Sequence, residues 1–502
     1  MMEAFVFEIL PTFWARLCAL AEQSAGYALL RRLYRALRRL FQESLLSGLL
    51  AERPVPRACL RLDGLPVSAG RRLQKAGARL RLDTLLSTRC WQGLDFSSLC
   101  GAMLFFMFLC PARLWDNRIA LVFALLLAGL LVVLFAAGRR EPLPLRAVGL
   151  SFLLFMLVSV NGVVSARNLS EALRVFAFYV TSCLFALVLA AALSDRRKLK
   201  RLLAFLYLAV ICTAAVAVWQ RLTGVAVNAS QTDLAANAGM PGRVYSTLEN
   251  PNNYAEFLVL LLPLSLAYTT MLDSRRVRLA ATLLLTLPLA ALLMTYSRSG
   301  WISFALAALV MLFFCQKRML PLLLLLALLA LPLLPATVFR RILTIGSVKD
   351  SSNLYRVYIW QGTLRMLRQF GLTGVGFGPE NFHPVYTLFC SGHAQEAQHA
   401  HMLYLELWAE IGLAGLICFL VFHFGLIRRA VLRIKHADSG LRMTLIASAA
   451  SLTGISFAAA VEHVWFYPRD MFCYFILVGI TLAAVNISKK ESSQDRRLSR
   501  RS

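Results

Sequence analysis

The sequence predicts an all-α polytopic membrane protein of about 12 transmembrane helices, with a large extracytoplasmic loop between helices 9 and 10 that contains short amphipathic helices. Three observations carry that reading. The 502 residues are 59% hydrophobic, with a mean hydropathy of +0.65, and a water-soluble fold uses less apolar composition than this. The apolar residues fall in runs of about 20, the length that crosses a bilayer as a helix. The loops between those runs gather most of the 53 Lys and Arg on alternate sides, as cytoplasmic loops do.

Residues 1–95 form a basic N-terminal region. AFVFEILPTFWARLCAL is interrupted by Glu8 and Pro11 and has no basic segment before it, so no cleavable signal peptide is expected and the first spanning helix does the targeting. In ALLRRLYRALRRLFQESLL, Leu29, Leu33, Leu37 and Leu40 recur at helical spacing among arginines. Two readings stay open for this amphipathic helix: it lies on an anionic inner leaflet, or it packs on the cytoplasmic loops. ERPVPRACLRLDGLPVSAGRRLQ reads as a linker with turns.

The spanning runs fall at 96–112, 117–137, 144–165, 171–193, 200–220, 253–272, 278–297, 299–316, 319–338, 403–427, 441–461 and 466–487, which makes 96–487 the membrane domain. GRREPLPLR, SDRRKLKR, DSRRVR, QKR, IRRAVLRIK and the basic tail 488–502 lie on one side together with the N-terminal region. That side is assigned to the cytoplasm, and both termini with it. The net charge of +27 is therefore read as a topology signal, and nucleic acid is not an expected partner. The eleven cysteines have neither metal-ligand spacing nor a disulfide pattern, and Cys390 alone is expected in an outer loop. Outer loops at 221–252 and 339–402 are too long for plain connections. The second, rich in aromatic residues and glycine, is expected to fold as a small cap.

Four polar segments on the outer side remain unexplained by membrane insertion. GRVYSTLENPNNYAEF carries Arg243, Glu249, Asn250, Asn252 and Asn253; Asn-Pro-Asn is a helix-start signal with Asn252 or Asn253 as the expected cap. MTYSRSGWISF sets Ser297, Arg298 and Ser299 between two apolar helices. An arginine at a helix centre costs about 2.5–3.5 kcal/mol on insertion scales, less near the interface, so Arg298 faces a cavity or a partner, or snorkels to the headgroups. SNLYRVYIWQGTLRMLRQFGLTGVGFGPENF reads as an amphipathic helix bearing Arg356, Arg365 and Arg368. Its glycine turn, Gly374, Gly376 and Gly378, gains meaning for phosphate only beside those arginines. Arg356, at the start of the helix, is the one placed to point into a cleft.

The fourth is QHAHMLYLELWAEIG. Histidines at i and i+2 face opposite sides of a strand and share a helix face poorly, so His399 and His401 are expected to do different jobs, one catalytic and one structural. Without a nearby carboxylate or a further histidine at helical spacing, HAH is a weak ligand set, and neither a metal nor a cofactor is expected. Ser297, Tyr404 and Glu410 join the asparagines as supporting candidates; His463 and Arg469 are either polar neighbours or plain loop residues.

These segments, in this order, resemble the O-antigen ligase and polymerase family over about residues 200–480. The matching features are the NPN turn after Arg243, the SR before Trp301, the arginine of LYRVYIWQGTL, GVGFGPENF, and the histidine before LYLELWAEIGLAG. The resemblance implies a glycan transferase of the bacterial cytoplasmic membrane. It would act at the outer face, between an undecaprenyl-diphosphate-linked glycan donor and a glycan, lipid or protein acceptor, and invert the anomeric carbon. It puts the diphosphate on Arg298 and Arg356, with Arg243 beside them, and the base at His401. Where the family often has Asn after this histidine the chain has Met402, so that amide's role is absent or taken by another residue.

The chemistry suits the residues. Guanidinium groups grip phosphate oxygens bidentately and neutralise a diphosphate leaving group without a metal, and a neutral histidine can accept a hydroxyl proton. A transporter or flippase of a lipid-linked glycan is the competing class, but it would place polar or broken helices near the midplane.

Overall fold

The computed structural model describes residues 64–82, 95–137, 148–226, 241–318, 320–330, 335–346 and 351–498, with scattered positions in 19–50 and at 332. Among the described residues every regular element is helical. The helices are α1 (Gly64–Arg79), α2 (Phe96–Leu109), α3 (Asn117–Ala136), α4 (Leu150–Val164), α5 (Leu169–Ala192), α6 (Arg196–Thr223), α7 (Pro251–Thr270) and α8 (Arg275–Met294). They continue with α9 (Arg298–Gln316), α10 (Leu320–Ala330), α11 (Ala336–Leu343), α12 (Ser351–Phe370), α13 (Pro379–Tyr386), α14 (Leu403–Arg433), α15 (Ser439–Ala459) and α16 (Pro468–Leu498).

A helix falls at each expected span, and among the described residues 8 are long and apolar enough to cross a membrane: α3, α5, α6, α8, α9, α14, α15 and α16. The expected 12 is not reached by that measure because α2 and α4 are short, α10 has 11 residues, and the polar turn PNNY with Glu256 dilutes α7. The expected turn-rich linker is already helical from Gly64, and most of the tail continues α16 to Leu498. The basic stretch 37–46 and the end of the tail, 499–502, lie outside the described residues.

Helix starts follow local chemistry. Asp116, Asn168, Asp195, Asn250 and Ser297 cap α3, α5, α6, α7 and α9 with side-chain oxygens that accept from the first-turn N–H groups. Asn250, rather than Asn252 or Asn253, caps α7, because Pro251 takes the first helical position, where its missing N–H costs nothing. Helix α16 runs through the centre, 94% buried over its apolar window, and packs on α5; α15 packs on α7 and α9, and α6 on α2. Leu125, Leu126 and Leu283 stay exposed, as expected where lipid tails are the solvent.

Helix α14 is broken at Gly412, whose φ of 76° and ψ of 176° leave the helical region. The run 371–378 fills the break. Val375 N–H donates to the Ala409 carbonyl at 2.7 Å, Gly376 N–H to Glu410 O at 3.2 Å, and Leu413 N–H to Gly371 O at 2.8 Å. A Cβ on Gly412 would meet Leu372 O at 2.3 Å, and one on Gly374 would meet Glu410 O at 2.7 Å. The glycine turn thus makes close approaches on three sides, Gly374 to the backbone of α14, Gly376 to Ala166 and Gly378 to the Glu171 side chain. Beyond it, α12 and α13 close a small core of Ile359, Met366, Phe382, Val385 and Tyr386 over the first turns of α14.

Candidate active site

One end of the bundle, the end that the charge bias assigns to the outside, holds a cavity of about 790 Å³. Four arginines line it, each from a different element: Arg243 before α7, Arg298 at the start of α9, Arg341 on α11 and Arg356 on α12. Two carboxylates, Glu256 and Glu462, face them.

Hydrogen bonds fix the guanidinium groups. Arg243 donates through Nε to Thr295 O at 2.7 Å and through a terminal nitrogen to Asn252 Oδ1 at 2.5 Å. Asn252 Nδ2 in turn donates to Glu462 Oε1 at 3.1 Å, which also accepts from Arg356 at 2.5 Å. Arg243, Asn252, Glu462 and Arg356 therefore form one chain of bonds across three loops. Arg298 donates to Thr344 O at 3.0 Å and to Asn353 Oδ1 at 3.2 Å, which ties α9 to the start of α12. Burial, with Arg341 close by, pushes the Arg243 pKa down to about 9, so it stays cationic at neutral pH.

The histidines sit together. His401 adopts φ 47°, which folds the HAH turn back on itself, and its N–H donates to His399 Nδ1 at 3.1 Å. The two rings lie 4.0 Å apart and both line the cavity. The expected separation to opposite sides fails because that left-handed residue breaks the strand geometry on which it rested. Burial pulls the His401 pKa down to about 4, with Glu462 opposing and Arg356 assisting. His399 is lowered by burial and by its histidine neighbours, and His463 is lowered by burial to about 3. All three rings are neutral at physiological pH, the form that can accept a proton.

The other expected residues divide. Asn250, Asn252 and Asn253 line the cavity and also set the start of α7. Ser297 is buried and caps α9, while its neighbour Ser299 reaches the cavity. Tyr404 donates to Ser456 O at 2.9 Å and lines neither this cavity nor its neighbour. Glu410 lines a separate neighbouring cavity, where it accepts from Gly378 N–H at 2.9 Å. Arg365 and Arg368 are exposed. Arg469 is a fully buried structural residue: it pairs with Glu249 at 2.8 Å and donates to Cys110 O at 2.9 Å and Thr247 O at 3.1 Å.

Sequence reasoning missed Arg341 and Glu462. Arg341 stands beside Arg340, and only the helical phase of α11 turns one inward and the other outward. Glu462 adjoins His463, which the reading did single out; an acid at the end of an apolar run was the available signal. Sequence reasoning also found no carboxylate or third histidine near HAH. The fold supplies both: ligand atoms of His399, Glu406 and His463 lie within 4.8 Å of one another, close enough to hold a metal ion.

Residues 281–420 match a protein-family model described as O-antigen ligase. The match spans Arg298, Arg341, Arg356, His399 and His401 and leaves Arg243 and Glu462 outside its limits. No curated protein matches the chain. Among solved structures, a chain from work described as "Structural coordination of polymerization and crosslinking by a peptidoglycan synthase complex" is similar at 18% identity, over 67% of this chain and 97% of that one, with a TM-score of 0.40. That likeness is too loose to carry an argument.

Proposed function

We propose, from the premise that the chain belongs to the O-antigen ligase family through residues 281–420 and is a membrane glycan-processing enzyme, that it transfers a glycan from a polyprenyl-diphosphate donor to an acceptor hydroxyl. The reaction takes place at the outer face of a bacterial inner membrane. The observation that carries the reading is the convergence of four arginines and a neutral histidine pair on one cavity.

The donor's isoprenoid chain stays in the bilayer while its diphosphate enters among Arg298, Arg356, Arg243 and Arg341. Fixed cations at that depth stabilise charge as it develops on the leaving diphosphate. The acceptor oxygen attacks the anomeric carbon, the bond from that carbon to the phosphate oxygen breaks with its electron pair, and His401 takes the hydroxyl proton. A single displacement of this kind inverts the anomeric centre. Glu462 positions Arg356 and, through Asn252, Arg243.

The test supplies a polyprenyl-diphosphate-linked oligosaccharide and an acceptor to the purified protein and compares wild type with Arg298→Ala, Arg356→Ala and His401→Ala. Losses of about a hundredfold or more in the arginine variants are expected. Unchanged product in all three would remove the proposed site.

A second reading, transfer assisted by a metal ion, is favoured by the grouping of His399, Glu406 and His463. Activity lost to a chelator and restored by a divalent metal would replace the metal-free mechanism.

A further inference from the structure

Beside the arginine cavity lies a second one, of about 770 Å³. His399, His463, Phe466 and Tyr467 line both and form a common wall. The lining chemistry changes across that wall. The buried ionisable groups that line only the far side are Glu171, Glu406 and Glu410, and the two arginines there, Arg118 and Arg174, are exposed, Arg174 pairing with Glu171 at 2.5 Å. Tyr179, Trp465 and Phe178 supply aromatic surface.

Two polar atoms are left over. Trp465 is 2% exposed, yet its indole N–H has no hydrogen-bond partner among the described residues, and neither has the buried Nδ1 of His463. Buried polar atoms are rarely left unpaired unless something outside the chain completes them. An anion does not suit the cavity, since no buried guanidinium lines it and three buried carboxyls do. Carboxyls that bond hydroxyls, aromatic faces and a spare N–H are the fittings of a pocket for a neutral polyhydroxylated ligand.

We infer that the second cavity seats the acceptor as a neutral, unphosphorylated glycan end and presents its hydroxyl across the His399–His463 wall to the arginine cavity. This rests on the transfer reaction proposed above. The division keeps the two substrates in their own compartments: the donor diphosphate is drawn to the arginines and meets no buried cation across the wall. The shared His399 has its ring 4.0 Å from that of His401, so a hydroxyl presented across the wall arrives beside the proposed base.

The experiment measures KM for both substrates in wild type, Trp465→Phe and Glu410→Gln, with a neutral oligosaccharide primer and the same primer phosphorylated on its terminal sugar. Glu410 also holds Gly378 and Tyr179, so its variant can fail to fold. Trp465→Phe keeps an aromatic ring and deletes an N–H that bonds to none of the described residues, so its melting temperature is expected to move little. Losing one hydrogen bond to the acceptor raises acceptor KM about threefold to tenfold, with donor KM unmoved. The neutral primer is expected to be preferred at least tenfold.

Acceptor KM unchanged in Trp465→Phe, donor and acceptor KM rising together, or equal use of the two primers would each overturn the inference. In all three cases the transfer reaction, and its loss in Arg356→Ala, would stand. No transfer by the wild type with either primer would instead overturn the underlying reaction.

Discussion

The two cavities share a wall but are assembled in different ways. The arginine cavity draws its cations from the loop before α7, from the first turn of α9 and from the loop helices α11 and α12. The carboxyl cavity draws its buried acids from two helices of the bundle, Glu171 on α5 and Glu406 and Glu410 one turn apart on α14, with the exposed Asp116 before α3 as a fourth acid. Groups carried by loops and helix starts need a bonding network to hold them, which the Arg243–Asn252–Glu462–Arg356 chain provides. Groups carried by packed helices are held by the helices themselves. The first arrangement suits a charged substrate that must be gripped through a reaction, the second a neutral one that must only be positioned.

The change expected to damage both sides most is Arg469→Leu. Arg469 joins the start of α16 to Glu249 and to the end of α2, just beyond the shared wall. Removing one partner of a buried pair costs about 3–5 kcal/mol, so thermal unfolding of the purified variant should move far down, and both substrates should be affected. Arg356→Ala should separate the cavities instead, with transfer down about 10²- to 10³-fold and acceptor KM near normal, and with a stability loss from leaving Glu462 without its partner. A matching change in acceptor KM would dissolve the distinction. Trp465→Phe is the smaller, opposite case, with only the acceptor KM rising.

Acid tests the proposed base, which lines the arginine cavity alone. His401 titrates near 4 in the folded chain against about 6.5 unfolded. Transfer should therefore hold from neutral pH down to about 5 and fall to half near 4, where an ordinary histidine would halve it near 6.5. Stability has the same sign. Between these two values the unfolded chain binds more protons, so stability falls as pH drops through that window, and His463, at about 3, extends the loss further. A pH–rate profile and acid melts read both. The smallest effect is expected for Met402→Asn. Met402 occupies the cap position of α14 without a side-chain bond, and the turn is held instead by Glu406, which accepts from Ala400 N–H at 2.5 Å. An asparagine there should raise stability by about 0.5–1 kcal/mol and leave acceptor KM alone.

The same contrast explains what the sequence made legible. Arg298 and Arg356 stand out because each interrupts apolar or aromatic surroundings, and charge bias gave their side of the membrane. Helix positions were readable for the same reason, since apolar length is a local property. Of Glu171, Glu406 and Glu410 only the last is marked in the sequence, as a supporting candidate; two of them sit a turn apart in a helix that reads as a membrane span, and their meeting with α5 is decided by packing alone. The histidine turn was misjudged because a positive φ at a non-glycine residue leaves no mark in the spacing.

The break at Gly412 has a consequence for how the chain is made. The run 371–378 is synthesised before α14, yet the carbonyls of Ala409 and Glu410 that receive its N–H groups belong to that later helix. Until α14 is in the bilayer with its break formed, the cap has nothing to dock on, and the loop bearing Arg356, His399 and His401 cannot take its final position. The site therefore stays incomplete through the insertion of every helix that precedes α14. A nascent chain halted before α14 would carry all four arginines and both histidines without the arrangement that makes them a site.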